Sequence, residues 1–367
     1  MSKQIRPIAI YLPQFHPIPE NDRWWGKGFT EWTNVVRARP RFPGHYQPHL
    51  PADLGFYDLR LPEVLHQQTQ LAQQYGIYGF CFYHYWFKGK LLLERPLESV
   101  LRDKSLPMRF CICWANENWT RQWDGMNHKV LIEQTYSSLD HERHIDYLRP
   151  FLLDDRYIRV DGKPVILFYR KDLIPGLQHA VDRWRTYCRA IGVGDIYLVY
   201  VDKETELTDP IQQSFDASME FQPNYKKIAY TRRASLLARI LHRFELRSSV
   251  YQQNRITDYG AYVAQAMATA VHPYKQYPGV SPMWDNSARR KQSATIFHTS
   301  TPQLYEQWLQ HVVKTFTPFS PDENFVFINA WNEWAEGNHL EPCQRWGHAY
   351  LQATYRGLRS LTSTTSQ

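Results

Sequence analysis

The chain has 367 residues, room for one large domain or two small ones, with an ordinary apolar content and a net charge of +7. No window approaches the roughly 18 apolar residues of a membrane span. The opening Met1-Ser2-Lys3-Gln4-Ile5-Arg6-Pro7 lacks the apolar stretch and cleavage site of a secretory signal, so a cytoplasmic protein is expected.

The 13 Trp, 24 Tyr and 18 Phe exceed what core packing asks for and suit a cleft in which sugar faces stack on aromatic rings. Five cysteines, Cys81, Cys111, Cys113, Cys188 and Cys343, include three in apolar strand-like runs. They read as buried free thiols in a reducing compartment. Cys111 and Cys113 share a strand face, and His141 and His144 lie one helical turn apart. Neither spacing makes a metal site without further ligands, and the histidines read as a surface pair.

In chain order, the first predicted strand is Ile8–Pro13, followed by a long Pro- and Trp-rich loop from Gln14 to about Asp58 and a helix over Leu61–Tyr75. Strands follow at Gly79–Tyr85, Arg109–Trp114, Pro164–Tyr169 and Ile196–Val201, with weaker candidates at Ala217–Phe221 and Gly279–Met283 and an eighth at Phe325–Asn329. Helical patterns fall at Leu139–Leu153, Gly176–Ile191, Asp258–Val271, Gln303–Phe316 and His348–Leu358. The strands are short, continuous and apolar, as when both faces are buried. Between Lys226 and Arg255, eight basic residues stand against Glu245 alone, which accounts for the whole net charge. Leu236, Leu237, Ile240, Leu241 and Phe244 recur there at helical spacing. That segment, about 226–256, reads as a basic helical insertion after the sixth strand. It either packs on the main domain by its apolar stripe or makes peripheral contact with an anionic inner membrane or a lipid-linked glycan. Nucleic acid is not expected as a partner, because the rest of the chain is neutral.

Eight strands separated by helices predict a single α/β domain over 1–360, a (β/α)8 TIM barrel with long βα loops, followed by a frayed tail at 361–367. A doubly wound open sheet is the competitor, but the first strand runs into Leu12-Pro13-Gln14-Phe15 with no Gly-rich loop. A barrel gathers its site at the C-terminal ends of its strands. Polar and aromatic residues cluster there: Gln14 after the first strand, His84, Tyr85 and Trp86 at the second, Asn116, Glu117 and Asn118 after the third, Trp284, Asp285 and Asn286 after the seventh. Trp24 and Trp25, beside Gly26 and Gly28, suggest a sugar platform in the first loop. After the eighth strand come Trp331, Asn332, Glu333, Trp334 and Glu336. Two carboxylates among tryptophans are the equipment for acid/base work at a glycosidic bond, and as neighbours they push their pKa values apart. Glu341, before Pro342, is a third acid.

The run from Trp331 to Pro342, Trp-Asn-Glu-Trp-Ala-Glu-Gly-Asn-His-Leu-Glu-Pro, resembles the signature of glycoside hydrolase family 99, retaining endo-α-mannosidases and endo-α-mannanases on a (β/α)8 barrel. Ala9–Pro17, which contains Tyr11, Gly28–Trp32, which contains Glu31 and Trp32, and Trp114–Trp119 add a closer resemblance to the WbsX-like branch, family-99-like proteins encoded with bacterial surface polysaccharide genes and often labelled glycosyltransferases. The resemblance implies Glu333 as base on the sugar's own 2-hydroxyl, a 1,2-anhydro sugar, and Glu336 as acid/base. It implies no cofactor. Its remaining motif residues, Trp114, Trp119, Trp331, Asn332, Trp334 and Glu341, stand as substrate-binding candidates. Ala335 departs from the histidine of the hydrolases, which leaves the sugar open. Three activities fit: a hydrolase of a bacterial surface polysaccharide or O-antigen-type glycan, a transferase using the same site, and a non-catalytic glycan-binding protein. The last has no need of a close acid pair, and no Asp-x-Asp motif supports a nucleotide-sugar transferase.

Overall fold

A computed structural model describes residues 4–121, 126–203, 214–225, 228, 253–269 and 272–359. The strands β1 Arg6–Tyr11, β2 Gly79–Phe87, β3 Phe110–Trp114, β4 Lys163–Phe168, β5 Tyr197–Asp202 and β6 Ala217–Glu220 pair in parallel in chain order. β7 is broken at Pro278 into Gln276–Tyr277 and Gly279–Val280. Its first half pairs with β6 (Ser218 opposite Gln276) and its second with β8, Phe325–Ile328 (Gly279 opposite Phe327). β8 pairs with β1, Arg6 opposite Phe325, and the barrel closes. A proline interrupts a central strand because it has no N–H for the ladder, but the Pro278 carbonyl still accepts from Phe327 N at 2.9 Å. The seventh strand thus begins before the predicted Gly279 and ends at Val280 rather than Met283.

Three of the outer helices start where a side chain satisfies one of their first N–H groups. Ser137, Asp258 and Thr301 cap Ser138–Leu152, Tyr259–Met267 and Pro302–Thr315. Pro62–Gln74, Leu177–Ala190 and Ala349–Arg359 continue the outer layer. Strand residues such as Ile8, Cys81, Ile112, Ile166, Leu198 and Val326 are fully inaccessible, which is the two-sided burial their unbroken apolar runs require. All five cysteines are free and buried. His141 and His144 are buried as well, not a surface pair: His141 Nδ1 accepts from Trp184 Nε1 at 3.0 Å, and His144 sits between the strands and their helices.

The loop after β1 is more ordered than its composition suggested. It contains the short helices Pro19–Trp25 and Glu31–Arg37, the second joined to the barrel mouth by Glu31 N donating to Gln14 O at 3.1 Å. The predicted basic insertion lies almost wholly outside the described residues, and the tail lies entirely outside them. From the end of the insertion, Arg255–Asp258 forms a strand parallel to Thr295–His298. No helix among the described residues is long and apolar enough to cross a membrane.

Gly279 joins the two halves of the closure, and a Cβ there would overlap the Glu220 carbonyl oxygen on β6. Gly279→Ala is expected to destabilise the barrel by about 1–3 kcal/mol through this overpacking. Denaturant unfolding followed by tryptophan fluorescence checks it, and an unchanged midpoint would refute it.

Candidate active site

The chain after β8 makes a tight hairpin in which Asn332–Glu333 pairs antiparallel with Asn338–His339 around the turn Trp334–Glu336. Asn332 fastens it to the end of β1 as a strand would. Its Oδ1 accepts from Leu12 N at 2.7 Å and its Nδ2 donates to Leu12 O at 3.0 Å. Gly337 has φ 52°, and a Cβ there would come within 2.9 Å of Asp285 Cβ. Only glycine allows both this conformation and this approach. The contact brings the loop after β7 against the hairpin, with Asp285 N donating to Glu336 O at 2.7 Å. Asp285 then caps the turn Asn286–Ala288, and the next residue is Arg289.

Arg289 is the centre of the site. Its Nε lies 2.7 Å from Glu31 Oε1, and its two terminal nitrogens lie 3.1 Å from Glu333 Oε2 and 2.8 Å from Glu336 Oε1. One guanidinium therefore spans both predicted catalytic acids and a third carboxylate from the β1 loop. Burial alone would lower the Arg289 pKa, but the three carboxylates hold it well above its usual value. Burial pushes Glu333 up to about 8, with repulsion from Glu336 and Glu31 adding and Arg289 opposing. Glu31, wholly inaccessible, is raised by burial in the same way. Side-chain accessibility is 21 % at Glu336 against 7 % at Glu333, so Glu336 is the acid that meets water more readily.

Glu333 and Glu336 open onto a cavity of about 340 Å³ at the C-terminal mouth of the barrel. Of the predicted residues, Gln14, Tyr85, Glu117, Asn118, Trp119, Trp284 and Asn286 line it. Others were expected there and lie elsewhere. Successive strand residues point to opposite faces. On β2, Tyr83 and Tyr85 face the cavity, while His84 and Trp86 face the helix layer. His84 Nε2 is 2.9 Å from His144 Nε2, and Trp86 Nε1 donates to Asp140 at 3.1 Å. Tyr11 likewise donates outward to Gln68 (2.6 Å), and Trp114 packs against Trp184. Asn116 is turned aside to tie two loops together through Tyr136 OH and the Arg170 backbone. Trp24 lies behind Trp119, their ring centres 6.2 Å apart, and Trp25 packs on Phe29.

Glu341 is also a correction to the expected substrate contacts. It is buried beneath the hairpin, where it accepts from Trp334 Nε1 (2.6 Å), Gln68 Nε2 (2.6 Å) and Tyr57 OH (2.8 Å). Burial raises it to about 7 while these donors oppose the shift. Trp32, donating to Tyr57 O, packs against Trp334, and Trp331 fills the core beside Phe80. Asp285 accepts from His45 and Gln47, each at 2.6 Å; burial opposes its charged form, yet His45, with help from Ser287 and His49, holds its pKa low. These residues support the site from behind. Ala335 is fully buried and is not part of the cavity wall.

Sequence reasoning missed Arg289 and Arg290, and also Tyr169, Lys203, Phe221, Tyr225 and Asn329, all of which line the cavity. Among the described residues, no group of three or more His, Cys, Asp and Glu is placed to hold a metal.

The sequence model described as Glycosyltransferase WbsX matches residues 7–354. The chain belongs to this WbsX family. Its relatives include the WxcX proteins of two strains of Xanthomonas campestris pv. campestris, each 45 % identical over 352 residues. Those residues are 96 % of this chain and 49 % of the relative, so the chain spans about half the length of the curated relatives it matches. Among solved structures, the fold is similar to a glycoside hydrolase-like protein (TM-score 0.61, 13 % identity, 97 % of this chain and 94 % of that one). It is also similar to the GH99 endo-alpha-mannosidase from Bacteroides thetaiotaomicron (TM-score 0.54, 15 % identity, 99 % of each chain). At these identities the likeness is one of fold alone: the WbsX chain is a (β/α)8 barrel.

The two neighbours of Glu333 act on it in opposite directions. Glu31→Gln is expected to lower the Glu333 pKa from about 8, and Arg289→Met to raise it further. Carboxyl ¹³C NMR titration of glutamate-labelled protein reads both, and shifts of the same sign would refute the arrangement.

Proposed function

We propose that this WbsX-family chain is a retaining glycoside hydrolase, endo-acting on a bacterial surface polysaccharide of the O-antigen type, with residues 1–360 as the catalytic unit. The observation that carries the reading is the joint hold of Arg289 on Glu333 and Glu336 at the wall of an aromatic-lined cavity. Two carboxylates within one guanidinium's reach, one at about 8 and the other partly open to water, suit paired acid/base work.

In the reaction proposed, ionised Glu333 takes the proton from the sugar's 2-hydroxyl. That oxygen attacks the anomeric carbon as Glu336 gives its proton to the departing oxygen, leaving a 1,2-anhydro sugar. Glu336, now a carboxylate, takes a proton from water, and that water opens the epoxide at the anomeric carbon. Glu333 returns its proton to O2. Configuration is retained after two inversions. If a sugar hydroxyl replaces water in the second half, the same residues perform a transfer. The Glycosyltransferase WbsX description of the family favours keeping that second reading.

Incubating candidate surface polysaccharides with wild type and Glu333→Gln, with and without added acceptor sugars, tests both readings. Oligosaccharides of retained configuration released by wild type alone support hydrolysis. Products only when acceptor is added support transfer. Binding without any turnover of a bound glycan would refute an enzymatic role.

Glu336→Gln is expected to lower kcat by about 10²- to 10⁴-fold, as loss of a general acid/base does, while glycan affinity holds within a few-fold. Unchanged turnover removes Glu336 from the role. The pH profile tests Glu333. A base must be ionised, so kcat/KM should climb about tenfold per pH unit and level off near pH 8, where Glu333 titrates. A profile that instead falls above pH 8 would make Glu333 the acid.

A further inference from the structure

Among the described residues three basic ones line the cavity, and of these only Arg289 has its charge fully met by carboxylates. Lys203, the residue just after β5, places Nζ 3.1 Å from the centre of the Tyr169 ring and 5.4 Å from that of Phe221. Among the described residues the nearest carboxylate oxygen is that of Glu117 at 3.9 Å, but Glu117 has its close partner in Arg170 at 2.6 Å. The 3.9 Å contact is too long for a hydrogen bond, the Lys203 ammonium makes none among the described residues, and burial pulls its pKa down to about 8. Arg290 follows Arg289 on the β7 loop. Its backbone is fixed, with its N–H donating to Asn286 O at 3.0 Å and its carbonyl accepting from Arg41. Arg290 is a lining residue of the cavity, and its side chain makes no ion pair or hydrogen bond among the described residues.

Neutral hydroxyls are ordinarily met by groups that both donate and accept, and Gln14, Asn118 and Asn286 supply those here. Cations in a partly desolvated cavity are costly when unmatched and become favourable when an anion arrives. We propose that the cavity takes a glycan bearing an anionic oxygen group, a sugar carboxylate or a phosphate, which Lys203 and Arg290 meet. This rests on the glycan-acting reading above and names the substrate class for it.

Calorimetry or ligand-observed NMR at neutral pH and low salt, with D-glucose, D-glucuronate and D-glucose 1-phosphate as probes, tests the proposal without requiring turnover. Wild type should bind at least one anionic probe about tenfold more tightly than glucose. Arg290→Gln and Lys203→Gln should each weaken binding of the preferred anionic probe by a larger factor than they weaken glucose, and Arg290→Lys should retain most of the advantage. A glucuronate preference points to an acidic sugar, and a glucose 1-phosphate preference to a phosphorylated or phosphate-linked glycan. Equal affinity for all three probes, or an advantage that survives in both glutamine variants, overturns the proposal. Polysaccharide release with no anion preference would leave the carboxylate mechanism standing. Anion binding with no turnover would do the reverse.

Discussion

One arginine shared by three carboxylates is the constraint on which the site depends. Arg289 reaches Glu31 on the β1 loop and Glu333 and Glu336 on the β8 hairpin, while itself belonging to the β7 loop. Three segments distant in sequence thus meet at one cation. A carboxylate buried without such a partner would be driven to neutrality, and one fully paired would be held ionised. A single positive charge divided among three acids gives neither extreme. It leaves Glu333 near 8, close enough to neutrality for a proton to move in either direction.

The backbone enforces this division. Gly337 lets the hairpin lie against Asp285, and Asp285, held by His45 and Gln47, begins the turn that presents Arg289. Beneath the hairpin, Glu341 gathers Trp334, Tyr57 and Gln68, and Asn332 copies a strand's bonds to Leu12. Many of the polar residues in the signature region therefore act behind the cavity. They hold the hairpin's geometry so that two short acidic side chains need no large motion to reach a common substrate.

The barrel was legible because its strands are unbroken apolar runs with helices between them, a pattern that only two-sided burial produces. β7 was blurred because Pro278 splits it. In the site, the acid pair and much of the cavity wall were readable as polar residues at strand ends. The errors came from choosing by residue type rather than by face. His84 and Trp86 were expected at the site beside Tyr85 while Tyr83 was passed over, yet alternation along β2 sends His84 and Trp86 to the helix layer and both tyrosines to the cavity. A positional rule would have recovered several missed residues. Leu12, Ala115, Tyr169, Lys203, Phe221 and Asn329 each directly follow the last residue of a barrel strand, and all six line the cavity. Arg289 and Arg290 carried no such signal, because the loop turn that delivers them is set by the Gly337–Asp285 contact, which links positions far apart in sequence.

The charge distribution separates the cavity into two parts with different tasks. On the β8 side, Arg289 is consumed by its acids, so the cation tunes protons and offers little to a substrate anion. Toward β5 and the far end of the β7 turn, Lys203 sits against aromatic rings, and neither it nor Arg290 has a close carboxylate partner among the described residues. If both jobs fell to one cation, a bound anion would compete with Glu333 and Glu336 for it, and the acid pair would lose its bias on substrate entry. Keeping the proton-tuning arginine saturated and the other two cations open avoids that conflict. Charge recognition and acid/base chemistry can then work in one cavity without each titrating the other.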